Sequence, residues 1–194
     1  MKNFIKIAII CLFVLNCGTF AFAITNIELR EQAKLLYIAN QNAEAAKKIL
    51  LIPDTQKTAQ DYFLLGNTAK TKKEAIAFYK KAVNLKPKYS QAYFNLADIY
   101  YNSKDYEQAI NYYKQAIKYD KKFAYAYYNL GCTYLAAEKY NPARKAFESA
   151  IALSPEEPDY YYNLAFAHKK LNNTKRAEKA LNLYNELIKR RNEN

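Results

Sequence analysis

Few residues of this sequence have types and spacing that could do chemistry. The segment 126–135, AYYNLGCTYL, contains Cys132, and His168 is the single histidine of the chain. A nucleophilic thiolate needs a base or cation beside it, and a bound metal needs several clustered ligands. The sequence places neither next to Cys132 or His168, and it has only three glycines and no glycine-rich phosphate loop. We therefore predict a protein that is not an enzyme and has no cofactor or metal site.

The neighbours of these residues favour structural roles for them. Cys132 is expected to be a packing or groove-lining residue, and His168 a packing residue with a polar tip. The acidic turn formed by Glu156, Glu157 and Asp159 precedes a predicted helix. Acidic side chains stabilise the positive end of a helix, so a solvated helix start explains this cluster better than a catalytic pair.

The segment around Cys132 is one copy of a repeated pattern. AYFNLADIYY at 92–101 lies thirty-four residues before it, and YYYNLAFAHK at 160–169 lies thirty-four residues after it. Aromatic residues, asparagine and leucine recur, whereas the cysteine does not. Residues at i, i+3, i+4 and i+7 share one face of a helix, so each copy predicts a helix with one apolar side. Glycine and proline are scarce, which favours helices joined by short turns.

Each copy continues into a second predicted helix that carries small residues. The pattern Tyr127-x2-Leu130-Gly131-x2-Tyr134 is followed by Ala143-x3-Phe147-x2-Ala150 and then Pro155. The small residues allow two helix axes to approach closely, and large rings of the partner helix fill the space above them. This pattern resembles the tetratricopeptide repeat family. The resemblance implies an all-α fold, a right-handed α-solenoid of antiparallel helix pairs.

The repeats set the expected organisation of the chain. The copy at 59–89 has three fewer residues between its two helix patterns than the later copies have, so we expect a clipped, shorter turn between its helices. Proline should end the second helix at Pro87 and Pro155, whereas Lys121 replaces it and predicts a looser turn. Asn141-Pro142 predicts a helix start. The predicted segments are 24–58, a degenerate N-terminal capping helix pair; 59–89, repeat one; 90–123, repeat two; 124–157, repeat three; and 158–191, repeat four with the C-terminal helix.

The N-terminus predicts export. Lys2 and Lys6 precede an apolar run, and Ala21 and Ala23 form a cleavage site, so 1–23 has the layout of a signal peptide. A second interpretation is open, because Val-Leu-Asn-Cys ending at Cys17 resembles a bacterial lipobox. Residues 1–16 would then be removed and Cys17 lipidated. Either interpretation predicts a periplasmic or outer-membrane-associated protein of a bacterium.

The family resemblance also implies a binding groove lined by the first helix of each pair. Asparagine amides there can pair with the backbone of an extended peptide, and aromatic rings can hold apolar or aromatic ligand side chains. The chaperone-binding carboxylate clamp of this family is incomplete, because Phe63, Tyr125 and Asn129 replace its basic members. The expected groove residues are Asn67, Asn95, Asn129, Asn163, Phe63, Phe94, Tyr101, Tyr125, Tyr128, Tyr162 and Phe166.

The expected function is therefore a non-enzymatic interaction scaffold of the bacterial cell envelope, with a protein or peptide partner and no nucleic acid. The chain is basic, with a formal net charge of +12. An alternative is therefore a membrane-surface or host-facing lipoprotein that binds anionic lipid or polymer. The last helix carries Leu181, Tyr184, Leu187 and Ile188 with no helix after it. These residues either close against their own repeat or form an apolar edge that pairs with another copy.

Overall fold

The computed structural model describes residues 25–193, and this range is all-α, with no strand. The resemblance correctly predicted the fold class. The first helix, α1, spans 25–38. A 3-10 turn, Asp54–Gln56, follows the second helix. The remaining helices are α2 Asn42–Leu50, α3 Ala59–Asn67, α4 Lys72–Leu85, α5 Ser90–Asn102, α6 Tyr106–Tyr119, α7 Ala124–Ala136, α8 Tyr140–Leu153, α9 Pro158–Lys170 and α10 Thr174–Glu193.

The chain divides into two compact units, Met1–Ala82 and Val83–Asn194. In the N-terminal unit, Asp61 organises the start of α3. Its carboxylate accepts a hydrogen bond from the backbone amide of Thr58, and Thr58 Oγ1 accepts one from the amide of Asp61. Arg30 of α1 pairs with the same carboxylate at 2.9 Å. Because the Asp61 side chain is 96 % buried, its ion pair with Arg30 joins α1 to α3 within the core of the unit.

The C-terminal unit consists of three helix pairs: α5 with α6, α7 with α8, and α9 with α10. Its main core cluster joins small residues to large rings. Ala97, Ala109 and Ala116 are fully buried there, and Tyr113 packs among them. Small residues let the axes come close enough for one ring to contact several helices. The apolar stripe predicted from the repeat is therefore the core of this unit.

Two glycines show how tight this packing is. A Cβ atom added to Gly131 would lie 2.5 Å from Cε1 of Phe147, and one added to Gly66 would lie 2.5 Å from Cε1 of Tyr79. Real carbon atoms do not approach so closely. A side chain at either position would force the ring or the helices to shift, because a ring of the second helix lies directly on the first. This confirms the steric role predicted for the small residue of the pattern.

The turn within a pair has the same backbone geometry in each repeat of the C-terminal unit. Lys104, Glu138 and Asn172 have positive φ values of 61°, 57° and 57°. The amide that follows each of them donates to a carbonyl five residues earlier, as from Lys139 to Tyr134 at 2.7 Å. These bonds satisfy carbonyls that the ending helix leaves open. The sequence repeat is therefore also a repeat of backbone conformation.

The helix ends confirm some local predictions and correct others. Helices α4 and α8 end two residues before Pro87 and Pro155, as predicted. Helix α6 ends at the equivalent position, Tyr119, without a proline. The amide of Lys122 donates to the Asp120 side chain, so the turn at Lys121 is as well defined as the others.

Two further predictions about helix ends were wrong. The three-residue deletion shortens α3 to 9 residues, against 13 for α5, and the turn after it is not clipped. Helix α8 begins at Tyr140, with Lys139 as its N-cap, so Asn141 and Pro142 lie inside its first turn. Proline is tolerated there because amides of the first turn have no partner within the helix. Within 25–193, no helix has the length and apolar character needed to cross a membrane.

Candidate functional site

The first helices of the C-terminal unit, α5, α7 and α9, are linked side by side. Asn129 Nδ2 of α7 donates to Asp98 Oδ1 of α5 at 3.2 Å. Asn163 Nδ2 of α9 donates to the Tyr128 hydroxyl of α7 at 3.0 Å. Together these helices form a continuous surface, here called the first-helix face. Its residues are Phe94, Asn95, Asp98, Tyr101, Tyr125, Tyr128, Asn129, Cys132, Tyr162, Asn163 and Phe166.

The predicted asparagines already have partners within the protein. Besides the two bonds above, Asn163 also donates to the Asp159 carbonyl at 3.1 Å. In the N-terminal unit, Asn67 donates to the Tyr37 hydroxyl at 3.3 Å and accepts from the Tyr79 hydroxyl at 2.7 Å. Asn95 also takes part in an interaction. The amides therefore join neighbouring helices, and a ligand that uses them must share these bonds.

The aromatic rings of the face are more accessible than the amides. Tyr125 and Tyr162 are each 53 % exposed, and Phe166 is 44 % exposed. Across residues 25–193, these are the only exposed aromatic side chains, and all three lie on first helices. These three rings therefore add exposed apolar area to the first-helix face.

The other predicted rings support this surface to different degrees. Tyr101 and Tyr128 are half-buried. Phe94 is 9 % exposed and packs against Phe123 and Tyr125, with ring centroids 4.9 and 5.7 Å apart, so it belongs to the core rather than to an open groove. Phe63, in the N-terminal unit, is half-buried with its ring centroid 5.7 Å from that of Tyr79.

Asp98 is a residue of the face that the sequence reasoning missed. Its Oδ1 atom accepts from the Tyr113 hydroxyl and from Asn129. Burial raises the pKa of Asp98 above its usual range, although both hydrogen bonds act in the opposite direction. The sequence does contain a signal, because Asp98 occupies the same repeat position as Asn67, which accepts from Tyr79 in the same way.

Cys132 occupies the repeat position of Asp98 in the next repeat, and its surroundings suppress the reactivity of its thiol. Burial is the main cause that raises the pKa of the thiol to about 11, and the hydrogen bond with Tyr128 only partly opposes it. A thiol at this pKa is almost entirely protonated at neutral pH. The packing role predicted for Cys132 agrees with this environment.

His168 is 4 % exposed, and its Nδ1 atom has no hydrogen-bond partner. Burial lowers its pKa, with Arg144 and Arg176 contributing in the same direction and Glu148 opposing them. The ring is therefore a neutral packing group, as its repeat position predicted. No group of three or more metal-ligating side chains occurs within residues 25–193.

At the end of the C-terminal unit, an open groove of about 380 Å³ lies between α9 and α10. Its walls are mostly apolar and include two exposed rings of the first-helix face. Leu181, which is 40 % exposed, lies on its α10 side. The lining residues are Tyr162, Ala165, Phe166, Lys169, Thr174, Ala177, Glu178 and Leu181.

The helix pairs repeat every thirty-four residues, with aromatic rings packed over small residues in the core and further rings exposed on the first helices. This arrangement defines a helical-repeat protein of the interaction-scaffold class. Sequence comparison supports this conclusion. Patterns described as "Tetratricopeptide repeat" match residues 90–123, 112–145 and 158–190, and a pattern described as "TPR repeat" matches 73–104 and 131–172. The chain belongs to the tetratricopeptide repeat family.

The fold is also similar to solved structures of MamA. A crystal structure of MamA has a TM-score of 0.78 at 20 % identity, covering 84 % of this chain and 97 % of that one. MamA 41-end from Desulfovibrio magneticus RS-1 has a TM-score of 0.76 at 20 % identity, covering 85 % and 96 %. At this identity the likeness concerns the fold alone. A search of curated protein sequences gave no significant match.

Proposed function

We propose that this protein is a non-enzymatic interaction scaffold of the bacterial cell envelope that binds a peptide or protein segment on the first-helix face. The observation that carries the proposal is the placement of Tyr125, Tyr162 and Phe166. Exposing large rings to water is unfavourable, so a row of them on adjacent helices is best explained by a partner that covers them.

Magnitudes favour rings over amides as the source of affinity. A hydrogen bond exchanged with water contributes only about 0.5–1.5 kcal/mol, and the amides must share bonds they already make. Burying one large apolar side chain contributes about 1.5–3 kcal/mol. Micromolar affinity needs roughly 8 kcal/mol. Two or three ligand side chains buried against the rings therefore supply most of the affinity, and the amides set the register.

Asp98 adds a preference to this surface. Its Oδ2 atom makes no hydrogen bond with any residue in 25–193, while rings of Tyr101 and Tyr128 flank the same face. A carboxylate among aromatic rings favours a donor or cation from the ligand, through charge and through the ring faces. The segment bound here therefore combines an apolar or aromatic residue with a lysine, arginine or amide donor.

Site-specific photocrosslinking in the native envelope tests the proposal. A photoreactive phenylalanine at position 125, which lies outside the groove between α9 and α10, should crosslink to a protein partner, whereas the same group at Leu153, an exposed position on a second helix, should not. Tyr125→Ser should then weaken the isolated partner about tenfold, as expected for one lost ring contact. Equal crosslinking at 153, or unchanged affinity in Tyr125→Ser, would remove the first-helix face as the binding site.

Export is part of this proposal, and the residues that support it, including Cys17, lie outside the described range. The apolar run after Lys2 and Lys6 and the Ala21-x-Ala23 pattern support it. Mass spectrometry of the mature protein tests it directly. An N-terminus at Ile24 indicates cleavage, a lipidated Cys17 indicates a membrane anchor, and an intact Met1 in a cytoplasmic fraction refutes export.

The basic surface carries the second candidate function, which is binding to anionic lipid or polymer. Lys175, Arg176 and Lys179 are exposed on α10. Electrostatic attraction of this kind is screened by salt, whereas contacts between apolar rings are not. A partner whose affinity falls steeply between low and physiological salt therefore binds the basic surface. A partner whose affinity is nearly constant binds the first-helix face.

A further inference from the structure

The groove between α9 and α10 corresponds to a surface that is covered in the preceding pair. Its residues Tyr162, Phe166 and Leu181 occupy the repeat positions of Tyr128, Cys132 and Phe147. Tyr128 of α7 stacks on Tyr160 of the next first helix, α9, with ring centroids 4.8 Å apart, and Phe147 is fully buried. The same positions are 53 %, 44 % and 40 % exposed in the last pair. The groove is therefore shaped like the seat of a further first helix.

The other end of the chain shows the reverse pattern. Leu35 of α1 precedes Ala45 by the interval that separates Leu65 from Ala75, so Leu35 occupies the repeat position of Leu65 and Leu130. Those two leucines are 2 % and 6 % exposed, and Leu130 belongs to the core cluster that includes Ala97 and Ala109 of the preceding pair. Leu35 is 65 % exposed. An internal first helix buries this position, and α1 does not.

A second position of α1 agrees with this reading. Ile38 occupies the repeat position of Thr133 and Ala167, which are fully buried, and of Thr68 and Ile99, which are half-buried, whereas Ile38 is 67 % exposed. Helix α1 thus exposes a side that the later first helices bury fully or in part. The last pair displays the side that internal pairs use to receive a first helix.

We infer that α1 of one copy seats in the groove between α9 and α10 of a second copy, so that the two chains are joined by packing of a helix onto a helix pair. The contact reproduces the packing that already joins pairs within the C-terminal unit. It is heterologous, because it joins two different surfaces. Each pair of copies therefore leaves one open groove and one open α1, and further copies can add.

Two single variants test this arrangement in the purified full chain. Leu181→Glu places a charge in the groove, and Leu35→Glu places one on α1. Each should raise the dissociation constant for self-association at least tenfold in sedimentation velocity. Leu183→Glu is the matched control: it lies on the same helix, is 36 % exposed and does not line the groove, so it should associate like the unmodified chain. Circular dichroism checks that every variant keeps its helices.

Mixing the two variants gives the decisive result. The Leu181→Glu chain keeps an intact α1 surface, and the Leu35→Glu chain keeps an intact groove. The mixture should therefore form a one-to-one dimer that grows no further, at a concentration where each variant alone stays monomeric. Ile38→Glu should repeat the outcome of Leu35→Glu from an independent position on α1.

Three results would overturn the inference. One is an unmodified chain that stays monomeric at every concentration, which would leave the groove to a different molecule. Another is association that Leu181→Glu abolishes and Leu35→Glu leaves intact, which indicates pairing of two identical surfaces. The third is association that neither variant changes. Because Leu181 and Leu35 lie outside the first-helix face, failure here leaves the proposed peptide binding standing.

Discussion

Substituting alanine for Gly131 tests the packing on which the repeat depends. The new Cβ would lie 2.5, 2.7 and 2.8 Å from three ring carbons of Phe147. That ring is fully buried, so it cannot move into solvent to relieve the contact. The helices must separate by a few tenths of an ångström or the ring must leave its preferred rotamer.

The magnitude follows from two opposing effects. Alanine in a helix interior is favoured over glycine by about 1 kcal/mol. Overpacking a well-filled core costs about 1–3 kcal/mol. The expected result is a net loss of about 1 kcal/mol in the free energy of unfolding. The preceding repeat has alanine at this position, Ala97, beneath the buried ring of Tyr113, so a small separation of the helices can accommodate a methyl group.

Urea unfolding followed by far-ultraviolet circular dichroism measures the effect. A double-mutant cycle with Phe147→Leu identifies the contact, because alanine at 131 should cost less beneath the smaller side chain. Gly66→Ala, beneath Tyr79, is the matched substitution in the N-terminal unit and should also destabilise. If Gly131→Ala instead raises stability by the full helix-propensity difference, the ring does not lie on the glycine and the reasoning fails.

Three further measurements probe single side chains. The pKa of Cys132 is raised to about 11, so its thiol should react with iodoacetamide at pH 8 about 100-fold more slowly than an ordinary thiol. Unfolding in urea should restore the ordinary rate, and equal rates in the folded and unfolded protein would contradict the burial of Cys132. A folded-state pKa raised for Asp98 means that its contribution to stability falls as pH rises above the usual carboxyl value. Asp98→Asn should therefore stabilise at pH 7, with a smaller gain near pH 4, since an amide can still accept from Tyr113; a loss at pH 7 would contradict this. Arg30→Ala should lower the free energy of unfolding in urea by roughly 2–4 kcal/mol, because the buried carboxylate of Asp61 loses its charged partner, and a change within error would refute that role.

The sequence predicted the helix pairs because their determinants are local and periodic. Apolar positions spaced along one helix face, small residues at the crossing and the proline after the second helix each leave a sequence pattern. The start of α8 was misplaced because a proline fits the whole first turn of a helix, so Asn141-Pro142 does not fix its N-cap. The deletion near α3 was also misread, since the sequence does not say whether a helix or a turn becomes shorter.

The site was predicted less completely than the fold. The sequence indicated which residues belong to the first helices, and Tyr125, Tyr162 and Phe166 are exposed there. It did not show that Asn129 and Asn163 already bond to neighbouring helices, because those partners lie thirty-one and thirty-five residues away. Asp98 was missed although Asn67 holds the same repeat position, because Cys132 and Phe166 hold it in the later repeats and the position has no common residue type.

One repeat position gives the first-helix face a direction. It is occupied by a carboxylate in α5, a protonated thiol in α7 and a phenyl ring in α9, at Asp98, Cys132 and Phe166. The same repeat position on α5, α7 and α9 thus changes from charged to apolar along the first-helix face. A segment lying across them in the opposite sense would lose the pairing of its cationic group with the Asp98 carboxylate and would set its own ring against that acid, so the gradient would favour one polarity of a bound chain.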